Sequence, residues 1–368
     1  MSLRIVLHPG PCFDEYTFHL ANVLAEDLAV GLALARRQIP RFQKWLHPSI
    51  TVLPYRRPRR RHVWGFLEMY RLARKVRAFG ADILHVQGFG LWESVLARMA
   101  RPIPLVNTVH DPINHIDYRT PLNNFLLRDM VRQAQGWVVH SPGMKALLLQ
   151  HHRGVDPPRV AIHPLGPYTY YRYLAPSPLP TRRPEVLFFG ELRLNKGVDL
   201  LIQAFARIAP QAPRWRLIIA GRGRIPPKTQ PILEGLIRQG RAELHNRFIP
   251  DEEAARRFAQ AGIVALPYRH GTQSSVLAVA AALEAPVLAT PVGTLGETLR
   301  HEEEAFFVSP GDETALAEGL LDLIQRPRLR AQLGQRLARY AHEVWGWERA
   351  AQALLPLYTT LVEAHGRP

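Results

Sequence analysis

The sequence predicts an α/β protein built as two doubly wound parallel-sheet domains, on three observations. The chain has 368 residues, more than one hydrophobic core usually serves, so two domains are expected. Short apolar runs alternate with helix-like stretches along nearly its whole length, the pattern of parallel strands joined by crossover helices. Midway, from Pro167 to Pro184, the alternation gives way to Tyr-rich and Pro-rich chain with Pro176, Pro178 and Pro180 in succession, which reads as an interdomain linker. The expected division is a first domain over 1–170, a linker over 171–184 and a second domain over 185–347, with a helix over 348–364 free to cross back to the first.

In the first domain, strands are expected over 4–7, 50–53, 83–86, 105–109, 137–139 and 160–163, with helices such as 16–25 and 91–100 between them. In the second, a strand over 186–189 breaks at Gly190 and leads through Lys196 and Gly197 into an amphipathic helix. A strand over 217–220 stops at Gly221-Arg222-Gly223. A strand over 263–266 stops at Pro267 and opens the polar loop Gly271, Thr272, Gln273, Ser274, Ser275, before a helix expected from Val276. Ligands of open α/β sheets gather at the carboxyl ends of the strands, so these loops form a candidate phosphate-and-sugar site. Near the end of the chain, Ala351, Leu354, Leu355, Tyr358, Leu361 and Val362 recur at helical spacing.

Composition narrows the class. The 47% hydrophobic and 21% charged content is that of an ordinary soluble protein. A single cysteine, Cys12, excludes an internal disulfide framework and a cysteine-rich zinc site and fits a reducing cytosol. The first residues run into a short strand without the features of a signal peptide, and no apolar run approaches the roughly 18 residues of a membrane span; a cytoplasmic protein is expected. No zinc-finger spacing or aromatic and glycine RNA motif is present, so no nucleic-acid partner is expected. No Gly-x-Gly-x-x-Gly follows either domain's first strand, which argues against a nicotinamide dehydrogenase.

Charge is the oddity, with 47 Lys plus Arg against 31 Asp plus Glu and a net charge of +16. Only five of the basic residues are lysine, so the excess is in part an arginine-rich usage. Its densest cluster, Arg56, Arg57, Arg59, Arg60 and Arg61, precedes a helix expected over 63–79 that carries Trp64, Phe66, Leu67, Tyr70, Arg71, Arg74, Lys75 and Arg77. Such a run suits an anionic membrane surface. It equally suits a solvated helix whose apolar side is core.

Gly190 through Gly197, the pair Gly221 and Gly223, Pro267, the run 284–290 and the segment 291–297 with Glu297 at its end stand in an order that resembles the donor half of glycosyltransferase family 4, of GT-B fold. The stretch 308–312 with the helix after it continues the likeness, and in the first domain 82–87 and Thr108-Val109-His110-Asp111-Pro112 are similar to bacterial members that build surface polysaccharides or glycolipids. The resemblance implies two Rossmann-like domains facing a cleft. It implies transfer of a sugar from a uridine or guanosine diphosphate donor to a glycan or lipid-linked acceptor, with retention and without a metal or cofactor, the nucleotide-sugar being a substrate.

The resemblance also implies site residues. Lys196, expected at the first turn of a helix, meets the donor pyrophosphate, where an ammonium and helix amides neutralise phosphate charge. Gly190, Thr272, Gln273, Ser274, Ser275 and Glu297 belong to the donor side, and Gly10 to a glycine loop under the donor phosphates. An arginine usual after the first strand of this half is Glu191 here, with Arg193 as its replacement. His110 is the catalytic candidate, contacting the donor sugar, with Asp111 beside it and His115 as the substitute. The family's two glutamates fall on Gly271 and Val279, which cannot do carboxylate work. A degenerate GT-B protein that binds nucleotide or glycan without turnover is therefore the alternative.

Overall fold

The computed structural model describes residues 3–113 and 120–365. The chain divides into two compact units, one of residues 1–164 and 347–368, the other of residues 165–346.

The first unit holds β1 (Arg4–His8), α1 (Asp14–Leu24), β2 (Ala29–Ala35), α2 (Ile39–Phe42), β3 (Thr51–Tyr55), α3 (Gly65–Ala78), β4 (Ile83–Gln87), α4 (Leu91–Ala100), β5 (Leu105–Thr108), α5 (Pro121–Gln133), β6 (Gly136–Val139), α6 (Pro142–His151) and β7 (Val160–Ile162). Its seven strands run in the order β3-β2-β1-β4-β5-β6-β7, every pair parallel. β2 is a strand the sequence reading misses. Its Ala-Val-Gly-Leu-Ala-Leu-Ala run is buried at six of seven positions, so it shows no apolar and polar alternation, and its alanines favour helix by propensity. In α3, Met69, Leu72, Ala73 and Val76 are buried, the spacing of one inward face, while Phe66, Leu67 and Tyr70 face outward.

The second unit holds α7 (Tyr170–Leu174), β8 (Glu185–Phe189), α8 (Val198–Ile208), β9 (Arg216–Ala220), α9 (Gln230–Arg238), β10 (Ala242–His245), α10 (Asp251–Gln260), β11 (Ile263–Leu266), α11 (Ser275–Ala282), β12 (Val287–Ala289), α12 (Thr294–Thr298), β13 (Phe306–Phe307), α13 (Glu313–Gln325) and α14 (Pro327–Trp345). Its sheet is parallel throughout, in the order β10-β9-β8-β11-β12-β13. Where the sequence suggests a linker over 171–184, the chain is part of this unit. The hydroxyls of Tyr170 and Tyr171 donate to Asp251 at 3.3 and 3.4 Å. The Arg182 guanidinium donates to the carbonyls of Phe258, Ala259, Ala261 and Leu283 at 2.7–3.2 Å, and burial lowers its pKa to about 10. Anchors of this kind are polar-tipped and aperiodic, so apolar patterning does not reveal them.

α15 (Trp347–His365) belongs to the first unit and packs on α1. Its Tyr358 hydroxyl meets His85 Nδ1 at 2.7 Å. Leu361 and Leu357 fill the space that Gly136 leaves, since a Cβ there would lie 2.8 and 3.0 Å from them. Among the described residues, no helix is long and apolar enough to cross a membrane.

Candidate functional site

In the second unit, β8, β11 and β12 lie side by side, so the loops after them share one edge. After Gly190 the chain makes a 3-10 turn over Leu194–Lys196 and enters α8 through Gly197 at φ +69°. A Cβ at Gly197 would stand 1.9 Å from the carbonyl oxygen of Pro267, so only glycine lets the β8 loop press onto the β11 loop. Lys196 therefore sits in the turn before α8 and not in the helix's own first turn, because the left-handed Gly197 interrupts the helical path. Its Nζ lies 3.9 Å from the centroid of the Tyr268 ring, an arrangement that holds an ammonium without cancelling its charge.

The residues after Pro267 tie this turn down. Arg269 grips both carboxylate oxygens of Asp199 at 2.7 and 2.9 Å and donates to the Leu194 carbonyl at 2.6 Å. Its backbone N–H donates to Asn195 O at 2.9 Å. A bidentate guanidinium pair fixes orientation as well as distance, so Arg269 sets the shape of the turn that carries Lys196. Tyr268 and Arg269 are site residues the sequence reading passes over; their place directly after the strand-ending Pro267 was the available signal.

The groups of the polar loop differ in role and burial. Ser274 is the N-cap of α11, its Oγ 3.3 Å from Leu277 N and 3.1 Å from the Tyr268 hydroxyl. The helix starts at Ser275, one residue before the expected Val276, because Ser274 caps it. Thr272 lends its carbonyl to Thr294 N at 2.9 Å. Thr272 and Gln273 are half-buried and Ser275 is exposed, all on the loop after β11. Glu297 is exposed on α12, after β12, and Gly190 is half-buried after β8. Arg193 is half-buried and pairs with Glu191 at 2.9 Å. Gly271 carries no side chain and Val279 is buried in α11.

The first unit's edge is made differently. Gly10 turns at φ +58°, with its missing Cβ 1.8 Å from Gln87 O, and its N–H donates to His8 Nδ1 at 3.1 Å. Beyond β5, β6 and β7, neighbours in the sheet, stand His110, His140 and His163, all buried. His140 Nδ1 donates to the His163 carbonyl at 2.8 Å, and its Nε2 lies 2.9 Å from His110 Nδ1. Phe13 stacks on the His110 ring at 3.6 Å between centroids and 9° between planes. Burial, then His140 and His85, hold the His110 pKa well below the ordinary imidazole value. Burial lowers His140 to about 4 against the opposing pull of the His163 carbonyl and Asp111. Neutral imidazoles at pH 7 offer a hydroxyl one donor and one acceptor nitrogen without net charge. The sequence reading finds His110 but not His140 or His163, although each follows the last residue of its strand by one position. Asp111 is half-buried beside them, and His115 lies outside the described residues.

The basic segment is only partly available. Arg57 donates to Asp14 at 2.8 Å, to the Tyr55 hydroxyl at 3.2 Å and to Pro11 O at 3.2 Å, with 14% of its side chain exposed. It is a structural tie between β3 and α1, and this corrects its assignment to a membrane-facing set. Arg56, Arg59, Arg60 and Arg61 are exposed, with Arg60 reaching Asn123 of α5 at 3.0 Å. Around them Val63, Phe66, Leu67, Tyr70, Leu122 and Phe125 are at least half exposed.

Residues 15–167 match the family described as Glycosyltransferase Family 4, and residues 183–326 match Glycosyl transferases group 1. Between them these matches take in most of the chain, which belongs to the family 4 glycosyltransferases of GT-B fold. It is similar to the D-inositol 3-phosphate glycosyltransferase of Streptomyces avermitilis, 32% identical over 192 residues, 49% of this chain and 40% of the relative. The Nocardioides protein of the same name is 28% identical over 291 residues, 72% of this chain and 63% of the relative. The matched parts thus span less than two thirds of either relative. The Anabaena HepE structure in complex with UDP and glucose has the same fold, with a TM-score of 0.70, 17% identity and coverage of 97% of this chain and all of that one.

Proposed function

We propose that the protein moves a sugar from a uridine or guanosine diphosphate donor to a glycan or lipid-linked acceptor, with retention and without a metal ion or cofactor. The observation that carries this reading is the fixed turn of Lys196, its ammonium held over Tyr268 and its backbone clamped by Arg269 and Asp199. An ammonium beside the N-terminal amides of α8 stabilises the negative charge that grows on a leaving nucleoside diphosphate, commonly the largest catalytic contribution. The neutral His110 suits the sugar, where a hydroxyl needs direction more than charge. The HepE complex with UDP and glucose favours a uridine donor. The test is a screen of uridine, guanosine, adenosine and cytidine diphosphates and their sugar conjugates by thermal shift, followed by assay of nucleotide release. A diphosphate nucleoside that raises the melting temperature, with its sugar conjugate turned over, supports the reading; no response to any of them opposes it.

A second reading is binding without turnover, favoured by Gly271 and the buried Val279 at the places of the family's two glutamates. Nucleotide-dependent stabilisation with no sugar release or transfer from any conjugate would select it.

We further propose a cytoplasmic protein that touches an anionic membrane through Arg56, Arg59, Arg60 and Arg61 and the outward side chains of α3. Each basic residue near such a surface contributes about 1 kcal/mol, and exposed Val63, Phe66, Leu67 and Tyr70 add apolar area. Sedimentation with anionic vesicles at low and high salt should show binding that fades as salt rises, lost when the four arginines become serine. Wild-type protein left in the supernatant at low salt would favour a soluble glycan acceptor.

A further inference from the structure

The loops that follow β1, β3 and β4 in the first unit enclose a cavity of about 110 Å³. Glu93, Arg57, Arg60, Tyr55, Trp92 and Phe89 line it. A cavity needs on the order of 10–15 Å³ to hold one water, so this one has room for one edge of a sugar ring with its hydroxyls. Its walls are held in place. Gly65 leaves space for the Trp92 ring, since a Cβ there would lie 2.4 Å from it, and the indole N–H donates to Arg59 O at 3.2 Å. Gly90 does the same for Glu93, whose Oε2 a Cβ would meet at 2.1 Å. Glu93 stands in the first turn of α4, where helix amides favour a carboxylate. It is nonetheless only 6% exposed. Burial, the largest effect, pushes its carboxyl above the ordinary range, while its own backbone N–H, Arg57 and Arg60 pull it back.

Charge decides what such a cavity takes. The Arg57 guanidinium is already met by Asp14 at 2.8 and 3.3 Å, which leaves Arg60 to offset the Glu93 carboxylate. A phosphate would bring further negative charge beside that buried carboxylate, and like charges sharing a site repel. A sugar edge asks for what is present: a carboxylate that accepts from hydroxyls, a guanidinium that donates to them, and the Trp92 and Phe89 rings as an apolar face for ring carbons. Pro11 also lines the cavity, two residues before the Phe13 that stacks on His110, so cavity and histidine edge share the loop after β1.

We infer that this cavity binds an uncharged, hydroxyl-bearing sugar residue, with Glu93 accepting from its hydroxyls, Arg60 donating to them and Trp92 covering its carbon face. The binding site concerns the first unit alone. Its use, as the seat of a neutral glycan acceptor in place of a phosphorylated one, rests on the proposed sugar transfer.

The experiment follows the Trp92 indole signal in proton–nitrogen spectra of protein carrying nitrogen-15 tryptophan, assigned by its loss in Trp92→Phe. Methyl glucoside, methyl galactoside and methyl mannoside are titrated in turn, with inorganic phosphate as the anionic probe. At least one glycoside is expected to shift the signal saturably, and phosphate is expected to leave it in place. Glu93→Gln should weaken binding of that glycoside about tenfold or more, the effect of one hydrogen bond to a charged group. Arg60→Ser should weaken it about threefold, less because the Arg60 side chain is exposed to water. No shift with any glycoside overturns the site. A shift with phosphate, alone or besides a glycoside, overturns the uncharged class. Either variant binding as wild type overturns the contact assigned to its residue, and the exposed Arg60→Ser decides alone if Glu93→Gln fails to fold. Glycoside binding in a protein that transfers no sugar counts against the proposed function and leaves the site standing, whereas sugar transfer without glycoside binding overturns the site and leaves the function.

Discussion

At the edge of the first unit's sheet, β1 ends in His8 and β5, β6 and β7 lead into His110, His140 and His163, whereas β8 and β9 of the second unit lead into Gly190 and Gly221 and β11 into Pro267. Both sheets are parallel, but one edge is finished with buried imidazoles and the other with glycine turns. Glycine lets loops approach each other closely, as Gly221 does to Gly190 O with a missing Cβ at 1.8 Å. That brings backbone amides beside Lys196, Arg193 and the hydroxyl-bearing loop after β11, a setting that suits a diffuse, highly charged group such as a diphosphate. Neutral imidazoles are poor at holding charge and good at directing a hydroxyl. The two edges teach how one topology carries two chemistries, one suited to a diphosphate and one to a hydroxyl.

The comparison should break most visibly in acid. Among the described residues, every imidazole whose pKa is lowered lies in the first unit, with His8, His19 and His85 at about 3 and His140 at about 4, burial being the first cause in each. Their folded values are depressed, so their contribution is full above the ordinary value of 6.5 and is lost as pH falls from there through the folded values. Below about pH 6 each such group costs about 1.4 kcal/mol per pH unit, on the order of 5 kcal/mol per unit for the four. Since domains are stable by only about 5–15 kcal/mol, the first unit should lose hydrogen-exchange protection near pH 5 while the second keeps it. Simultaneous loss in both units would remove this contrast.

A smaller effect sharpens the other side. Lys196→Ala should weaken nucleoside diphosphate binding by about 1.5–3 kcal/mol, the worth of a charge-assisted contact, with little change in melting temperature; unchanged affinity by calorimetry would take Lys196 out of the site. The smallest effect belongs to Tyr268. Tyr268→Leu should weaken nucleotide binding by about 0.5–1 kcal/mol through loss of the ring under the ammonium, and Tyr268→Phe should restore it. Equal losses in both variants would assign the role to the hydroxyl's contact with Ser274 instead.

Much of this architecture is legible in the sequence, where strand ends coincide with glycine, proline or histidine. The Gly190 to Gly197 turn, Lys196 and His110 are readable because a strand's apolar run stops beside them. β2 is not, because a strand buried on both faces carries no alternation and alanine speaks for helix. Arg57 is misassigned for a related reason: a run of arginines reads as one surface, and only the fold brings Asp14 of α1 beneath one of them. The chain over 171–184 reads as a linker because its anchors, the Tyr171 hydroxyl and the Arg182 guanidinium, have no period. His140 and His163 are visible only once β5, β6 and β7 are known to be neighbours, since their contact spans separate strands. Tyr268 and Arg269 act on a turn some seventy residues away, a distance no local pattern bridges.

The central claim is a division of labour between the lysine turn and the imidazole edge, and the direct measurement pairs Lys196→Ala with His110→Ala. For each, affinity for the bare nucleoside diphosphate is measured by calorimetry, and turnover is measured at saturating nucleotide-sugar, where a loss cannot be hidden in weak binding. The account predicts a crossed result: Lys196→Ala loses nucleotide affinity, and His110→Ala binds the nucleotide as wild type but turns over at least tenfold more slowly, an effect of about 1.4 kcal/mol or more on the barrier. If His110→Ala loses nucleotide affinity and turnover in equal measure, or Lys196→Ala binds as wild type, the division of labour is contradicted.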